Sequence, residues 1–559
     1  MHRQAKRTIQ TGLATLGALL LAMSVACAPA AQPAPAKPAE SKPAATTAPA
    51  KPAADAKPTE AAKPAAEAKP TAAAKPAAEA KPAARTPTGE LKVALPAKLT
   101  TLDPHGAQSV DGVTHTAMQH VFDTLVARDP ASGNLVPRLA AAWETPEPTT
   151  WVFTLRKDAK FHDGATVTAA DVKATIERVI AQKGPVAPLW AAVDTVETPD
   201  ESTVRIRTKT PAGTIASSAT LLPIAPADKV NADGFFSKPI GSGPFRFVSW
   251  VADGDLRLEA NADYWGGAPG VKNLTFKFIP EIAARVTALE TGEIDLTWRL
   301  PPDQLPALQR SADLQIETSL SYSYYFIWMN ASREPFTDKR VRQAMVHALD
   351  VDTMVKDLLP GIGKRATAPI PESVFGHAPQ TTYAYDPAKA KQLLAEAGHP
   401  NGFETSFIWY AGAGPQDREL GQALVSYWNA VGVRVKVAEQ ERAQWLDNLI
   451  KLNWDMDFQT NSVTTGDADF TLNRLYHSRA NRNGYKNPDL DRILDEAAAS
   501  VDQNKRKELF AQANKIIWED AAGIFPFDLL EPFAWRKSVQ GFTTTPGQIL
   551  SFSNVTIQR

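Results

Sequence analysis

Residues 139–179 constrain the fold most, because they predict a strand, a turn and a helix in direct succession. Trp151, Phe153 and Leu155 alternate along the chain, which places the three side chains on one face of a strand. The turn follows at His162-Asp163-Gly164, where Gly tolerates positive φ and Asp can bond to its own backbone. By itself a strand, a turn and a capped helix occur in many folds, and the class, α/β or mixed α+β, follows from strands and helices that alternate along the rest of the chain.

The helix of this run has a start signal and an apolar stripe. Thr168 and Asp171 have the spacing of a helix N-cap with its capping-box partner. The apolar side chains that follow at helical spacing predict its buried face: Val172, Ile176, Val179 and Ile180.

The first residues predict an export signal. Arg3, Lys6 and Arg7 precede an apolar run over residues 13–26 that is too short for a comfortable membrane span. Cys27, the only cysteine, ends this run at a position that resembles a bacterial lipobox, although Ser24 stands where that motif usually has a larger apolar residue. We therefore expect residues 1–26 to be a signal peptide and Cys27 to be lipidated, with simple cleavage nearby as the alternative.

Residues 27–88 consist mainly of Ala, Pro, Lys and Glu, with Lys-Pro repeating every six residues from Lys51 to Lys81. This segment lacks the apolar surface needed to offset its ordering entropy, so we expect a disordered, extended tether. Its proline content gives a reach of roughly 180 Å. The sequence thus predicts a spacer between an anchor and a folded body.

The body, residues 89–559, is too long for one core and implies at least two domains. The formal net charge of −1 gives no indication of nucleic acid or an anionic membrane as a partner. Residues 271–280, 281–291 and 294–298 read as strand, helix and strand, which favours a parallel pair with a right-handed crossover. Further helix starts are expected at Thr337 or Asp338, at Asp386-Pro387 and at Asn487-Pro488.

The body resembles a known family along most of its length. The run LR-x-x-A-x-FHDG-x-x-x-TA-x-DV within residues 155–172 closely resembles the signature of the family-5 extracellular solute-binding proteins, the peptide- and nickel-binding receptors of ABC importers. Other segments typical of that family follow in the expected order: residues 123–126, 136–140, 240–245, 261–267, 289–295 and 335–344.

The resemblance implies a hinged, two-lobe periplasmic-binding-protein-like fold of type II, in the large cluster with an extra subdomain. By analogy, lobe I comprises residues 89–128, 234–320 and 526–559, with an inserted subdomain at residues 129–233. Lobe II comprises residues 321–525. The chain would cross the hinge near Ser321 and return near Pro526.

Asp467 is the candidate ligand residue that the resemblance implies most directly. Peptide-binding members carry an aspartate in this loop that contacts the ligand's α-ammonium group, and an Asx-type turn is the alternative. Neighbouring Thr465 and Asn461 are further candidates. The arginine that meets a dipeptide carboxylate in some members is missing from the Gly-rich loop at residues 411–415, so a strict dipeptide ligand is not expected.

Other candidates rest on where they fall along the chain. Trp409 and Tyr410 end a predicted strand, a common place for binding side chains, although either ring could cap its own sheet. The remaining candidates are residues expected near the hinge or on loops approaching the cleft: Tyr322, Arg442, Gln108 and Ser109.

No catalytic, cofactor or metal motif is found. The chain lacks His-Glu-x-x-His, a phosphate loop and a Gly-x-Ser-x-Gly elbow. We therefore expect a monomeric, lipid-anchored, extracytoplasmic receptor that binds an oligopeptide and passes it to an ABC permease. Alternatives are a receptor for a metal chelate, glycoside or opine, or a surface sensor or adhesin with the same fold.

Overall fold

The computed structural model describes residues 85–106, 112–129, 133–252, 254–547 and 549–558. In chain order the strands are β1 (Glu90–Leu95), β2 (Val126–Arg128), β3 (Leu135–Pro137), β4 (Ala140–Glu147), β5 (Thr150–Leu155), β6 (Val193–Asp200), β7 (Thr203–Thr208), β8 (Phe245–Trp250), β9 (Leu256–Ala260), β10 (Asn273–Phe278), β11 (Leu296–Trp298), β12 (Leu314–Met329), β13 (Gly363–Arg365), β14 (Glu404–Tyr410), β15 (Arg434–Gln440), β16 (Met456–Ser462), β17 (Ile524–Arg536), β18 (Val539–Gln540) and β19 (Thr556–Ile557).

Helices pack on both faces of the large sheet around β12 and on one face of the small sheet. In chain order the α-helices are α1 (Gly112–Met118), α2 (Ala169–Gln182), α3 (Ile215–Ser218), α4 (Ile282–Thr291), α5 (Leu305–Leu308), α6 (Lys339–His347), α7 (Val351–Leu358), α8 (Pro387–Glu396), α9 (Asp417–Ala430), α10 (Arg442–Ile450), α11 (Ala468–Tyr476), α12 (Pro488–Ala499) and α13 (Gln503–Glu519). Within the described part of the chain, no helix combines the length and the apolar character needed to span a bilayer.

Two sheets dominate the architecture. The large sheet has the order β15-β14-β16-β12-β17-β11-β1-β10-β9-β8, and β13 pairs with β17 beside this path. The small sheet has the order β4-β5-β7-β6. Strands β12 and β17 are long and antiparallel, and their pairing is interrupted by a register shift between Leu320 and Tyr324. These two strands therefore connect the two halves of the large sheet.

The parallel pair predicted around α4 is only partly correct. Strands β10 and β11 are parallel, but β1 lies between them and pairs with both. The sequence on either side of α4 carries no signal for this insertion, because β1 comes from about 180 residues upstream.

Strand β12 buries both of its faces, as its unbroken apolar run requires. Tyr324, Phe326 and Trp328 pack into one core with helices α11–α13. Tyr325 and Ile327 point the other way, into a core shared with helices α6–α9. The aromatic side chains that follow Ser321 are therefore mostly core residues. This agrees with their alternation along the strand, which turns successive side chains to opposite faces.

The small sheet confirms the predicted strand, turn and helix. Trp151, Phe153 and Leu155 lie in one core with the apolar face of α2. The Asp171 carboxylate accepts hydrogen bonds from the Thr168 backbone N at 2.7 Å and from its hydroxyl at 2.9 Å. Ile180 corrects the prediction, since it is 39% exposed. It lies about 80° around the helix from Val172, at the margin of the stripe.

The other predicted helix starts are also confirmed. The side chains of Asp338, Asp386 and Asn487 each accept a hydrogen bond from a backbone N–H in the first turn of α6, α8 and α12, respectively. Proline follows two of these caps at the first helical position, where its missing N–H costs nothing.

Asp123 joins the small-sheet core to the neighbouring half of the large sheet. Its carboxylate accepts from Arg138 Nε at 2.7 Å and Tyr264 Oη at 2.9 Å on Oδ1, and from Ser242 Oγ at 3.1 Å and Trp265 Nε1 at 2.9 Å on Oδ2. All four acceptor positions of the carboxylate are thus used within the chain. Ser242 has this structural role, consistent with its place at a tight strand entry.

Candidate functional site

The loops after three strands meet at one edge of the large sheet. Strand β14 pairs in parallel with both β15 and β16, so their carboxyl ends, at Tyr410, Gln440 and Ser462, lie at the same edge. Strand β12 is antiparallel to β16 and places Ser323 opposite Ser462. The hinge segment therefore reaches the same edge, which is the usual position of ligand sites in open α/β sheets.

A cavity of about 110 Å³ lies beside this edge. Its lining residues come from parts of the chain that are far apart in sequence, among them Arg128, Arg138, Thr220, Tyr322, Thr465 and Pro546. A water molecule needs about 10–15 Å³ of such volume, so the cavity has room for several waters or for polar groups of a ligand.

Gly466 lets the 463–467 loop lie directly against the cavity wall. Its φ is +64°, in the left-handed region, and a Cβ atom there would lie 2.7 Å from the Tyr322 hydroxyl and 3.0 Å from Arg128 Nε. Arg128 Nη2 donates to the Thr465 carbonyl at 2.7 Å. The loop, Arg128 and Tyr322 thus form one packed wall that any larger residue at this position would disrupt.

Asp467 begins α11 and is buried under this loop. Arg506 donates to both of its carboxylate oxygens, at 2.8 and 2.9 Å, and the side chains are 3% and 0% exposed, respectively. Burial alone would raise the pKa of the Asp467 carboxyl, but the Arg506 guanidinium outweighs it and holds this pKa below its ordinary value. Asp467 is therefore ionised at neutral pH and bound within a bidentate pair.

Three contacts cross from the small-sheet region to the helices that cover the large sheet. Ser217 Oγ donates to Asp467 Oδ2 at 3.0 Å, and Arg128 donates to Thr465 as described. The Gly213 backbone N donates to the Ala498 carbonyl at the end of α12 at 2.7 Å. The cavity is thus bordered by two separate bodies of structure that are in direct contact.

The comparison with known proteins decides the identity of this arrangement. The family model "Bacterial extracellular solute-binding proteins, family 5 Middle" matches residues 134–483. The chain belongs to this family. The resemblance inferred from the signature run is confirmed, and the fold is that of a two-lobe binding protein. As a family-5 solute-binding protein, the chain is the substrate-binding component of an ABC importer.

Individual relatives are similar along nearly the whole body of this family-5 protein. The glutathione-binding protein GsiB of Pectobacterium atrosepticum is 29% identical over 83% of this chain and 93% of its own length. The probable D,D-dipeptide-binding periplasmic protein DdpA of Escherichia coli is 31% identical, with the same coverage. The solved structure of HbpA2 from Haemophilus parasuis has a TM-score of 0.77 at 25% identity, covering 84% of this chain and 100% of that one.

The predicted site residues of this binding protein fall into different surroundings. Thr465 and Tyr322 line the cavity. Asp467 lies just behind the cavity. Its contact with a ligand's ammonium group stays a prediction, and that ammonium would have to compete with Arg506 for the Asp467 carboxylate. Asn461 is bonded within the protein to Thr471 and Arg474, which fixes α11 against β16. Gln108, Ser109 and Cys27 lie outside the described residues.

Trp409 corrects the prediction for the end of β14. Its ring is 2% exposed and packs with Phe407, Leu420 and Trp428 in the core beneath α9, so it offers no face to the cavity. Tyr410 points to the opposite side and lies 4.6 Å from the Trp445 ring, with Arg442 above it at 5.9 Å. Strand alternation explains the difference between the two neighbours.

The sequence did not reveal the residues that hold the loop in place. Arg128, Ser217 and Arg506 are distant in sequence from Asp467 and lie in no motif that marks them. The resemblance to the family pointed to the loop aspartate alone and to none of its partners.

Breaking the buried pair should be costly. We expect Arg506→Ala to lower the free energy of unfolding by about 3–5 kcal/mol, because Asp467 would be left buried and uncompensated. Arg492→Ala is the matched control: it removes an exposed helix pair with Glu496, 59% and 43% exposed, and should cost less than about 1 kcal/mol. Urea denaturation of the body measures both, and equal losses would contradict a special role for the pair.

Proposed function

We propose that this receptor captures short peptides, or compounds built like them, in the cavity bordered by Arg128, Tyr322 and Thr465. The observation that carries the proposal is the mixed polar lining of the cavity, in which hydroxyl and guanidinium groups stand beside the side chains of Gln119, His115 and Asp129 and suit the amide and charged ends of a peptide. Two relatives named for glutathione and for D,D-dipeptides support the same class. No cluster of three or more His, Cys, Asp or Glu suited to a metal occurs among the described residues.

Tyr322 is the side chain through which we expect to detect the ligand. Its side chain is nearly buried and lines the cavity, and no hydrogen bond to its hydroxyl is found within the described part of the chain. Tyr322→Phe should weaken binding of tri-alanine about three- to tenfold, the loss of one hydrogen bond of about 1 kcal/mol, as measured by titration calorimetry.

Tyr324→Phe is the control for this measurement. Tyr324 lies two residues further along the same face of β12, is buried in the core and does not line the cavity. The Tyr324→Phe variant should bind tri-alanine with the affinity of the wild type. If tri-alanine fails to bind while a chelate, a glycoside or an opine co-purifies with the protein, the peptide assignment is wrong.

We further propose that binding closes two lobes about the segments near Ser321 and Pro526. Lobe I would comprise residues 89–128, 234–320 and 526–559, the inserted subdomain residues 129–233, and lobe II residues 321–525. The register shift of β12 against β17 near the first crossing supports a hinge there. The bond from Ser321 Oγ to the Leu529 carbonyl, at 2.7 Å, would hold the two crossing strands together during the motion.

Gly213 provides a test of closure away from the ligand. A Cβ atom at Gly213 would lie 1.8 Å from the Ser500 carbonyl oxygen, across the boundary between the inserted subdomain and lobe II. Gly213→Ala should therefore oppose closure and weaken tri-alanine binding at least tenfold, about 1.4 kcal/mol, while the melting temperature of the ligand-free protein stays near that of the wild type.

Ser500→Ala is the matched control, because the contact at Gly213 is made by the Ser500 backbone and not by its side chain. It should leave the affinity unchanged. If Gly213→Ala also binds with wild-type affinity, the two bodies do not meet at this point in the ligand-bound protein.

For localisation, we propose an extracytoplasmic protein held at the membrane by a lipid on Cys27 and a tether of residues 27–88. The lipobox-like position of the only cysteine supports this. Cys27→Ala should move the protein from the detergent-rich phase to the aqueous phase when bacterial cells are fractionated with a phase-separating detergent. Equal partition of the variant and the wild type would leave simple cleavage as the processing route.

A further inference from the structure

Asp467 has no acceptor position left for a ligand. An ionised carboxylate accepts about four hydrogen bonds, two on each oxygen. Oδ1 accepts from Arg506 Nη2 at 2.8 Å and from the Asp469 backbone N at 3.1 Å. Oδ2 accepts from Arg506 Nη1 at 2.9 Å and from Ser217 Oγ at 3.0 Å. All four positions are filled by groups of the chain itself.

The fourth donor comes from the other side of the boundary. Ser217 belongs to α3, whose side chains pack in the small-sheet core, whereas Asp467 and Arg506 belong to α11 and α13 on the large sheet. When the two bodies separate, Ser217 leaves and one lone pair of Oδ2 becomes available. When they close, Ser217 returns to it, so the acceptor is lost in the state that retains the ligand.

The local charges also give no net attraction for a cation. Asp467 and Asp469 supply two carboxyl groups, and burial together with the Asp467 charge raises the pKa of Asp469 to about 6. Arg506 and Arg128 supply two guanidinium groups that both act on Asp467. A ligand ammonium placed against Asp467 would lose its hydration without gaining an unpaired anion there, because Arg506 already neutralises this carboxylate.

We infer that Asp467 fastens the closed receptor through Ser217 instead of holding the ligand's amino group, so that the receptor accepts peptides whose α-amino group is blocked or absent. This inference rests on the proposed peptide-binding function and narrows its substrate class. The ligand would be recognised through its amide and carboxylate groups along the cavity wall, and Asp467 would take no part in binding its amino end.

The test compares tri-alanine with propionyl-alanyl-alanine, which lacks only the amino group, by titration calorimetry at pH 7. The two dissociation constants should agree within threefold, or the desamino compound should bind more tightly. A preference of tenfold or more for tri-alanine, abolished in Asp467→Asn, would overturn the inference and leave the peptide-receptor function intact. Failure of both compounds to bind would instead overturn the two proposals together.

A second variant does not disturb the buried pair. Ser217→Ala removes the bond across the boundary and should weaken both compounds by the same factor, at least threefold, because it weakens closure and not recognition of one group. Ser218→Ala is the matched control, since its hydroxyl bonds to the Leu189 carbonyl at 3.3 Å within the same body. Wild-type affinity of Ser217→Ala for both compounds, or a loss confined to tri-alanine, would contradict the inference.

Discussion

The buried pair between Asp467 and Arg506 is the interaction on which the rest of the site depends. A guanidinium can leave water only when its N–H groups find acceptors, and Arg506 donates to Asp467 through both terminal nitrogens and to the Ala497 carbonyl through Nε. Its flat faces are covered by Phe375 and Phe510, each with its ring centroid 5.2 Å away. One side chain therefore fixes three things at once: the start of α11, the end of α12 and the loop that lines the cavity.

Much of the fold follows from local rules in the sequence. The strand of Trp151 and Phe153, the capped helix after Thr168 and the helix starts at Asp386 and Asn487 all depend on side chains a few residues apart, and all were predictable. The insertion of β1 between β10 and β11 was not, because a strand's neighbours are set by packing across the whole sheet. The two-lobe organisation came from resemblance to a family and not from any periodicity.

The site was less predictable than the fold, for a related reason. The resemblance to the family indicated the Thr465–Asp467 loop and Tyr322, and no local pattern in the sequence did so. It gave no sign that Asp467 is already paired, because its partners Ser217 and Arg506 are 250 and 39 residues away. Trp409 and Tyr410 illustrate the same limit: they differ by one position along a strand, and only the direction of the strand decides which ring enters the core.

The contacts assigned to the proposed closure would leave the open and closed forms close in free energy. The last carbonyls of α12 have no partners within the helix, and two of them are satisfied from outside, Ala497 by Arg506 and Ala498 by Gly213 across the boundary. The first bond persists when the bodies separate, and water can replace the second. Water can likewise replace the Ser217 hydroxyl as a donor to the Asp467 carboxylate. Because each such bond contributes only about 0.5–1.5 kcal/mol net, a ligand that contacts both bodies can shift the equilibrium with a few kcal/mol of differential binding.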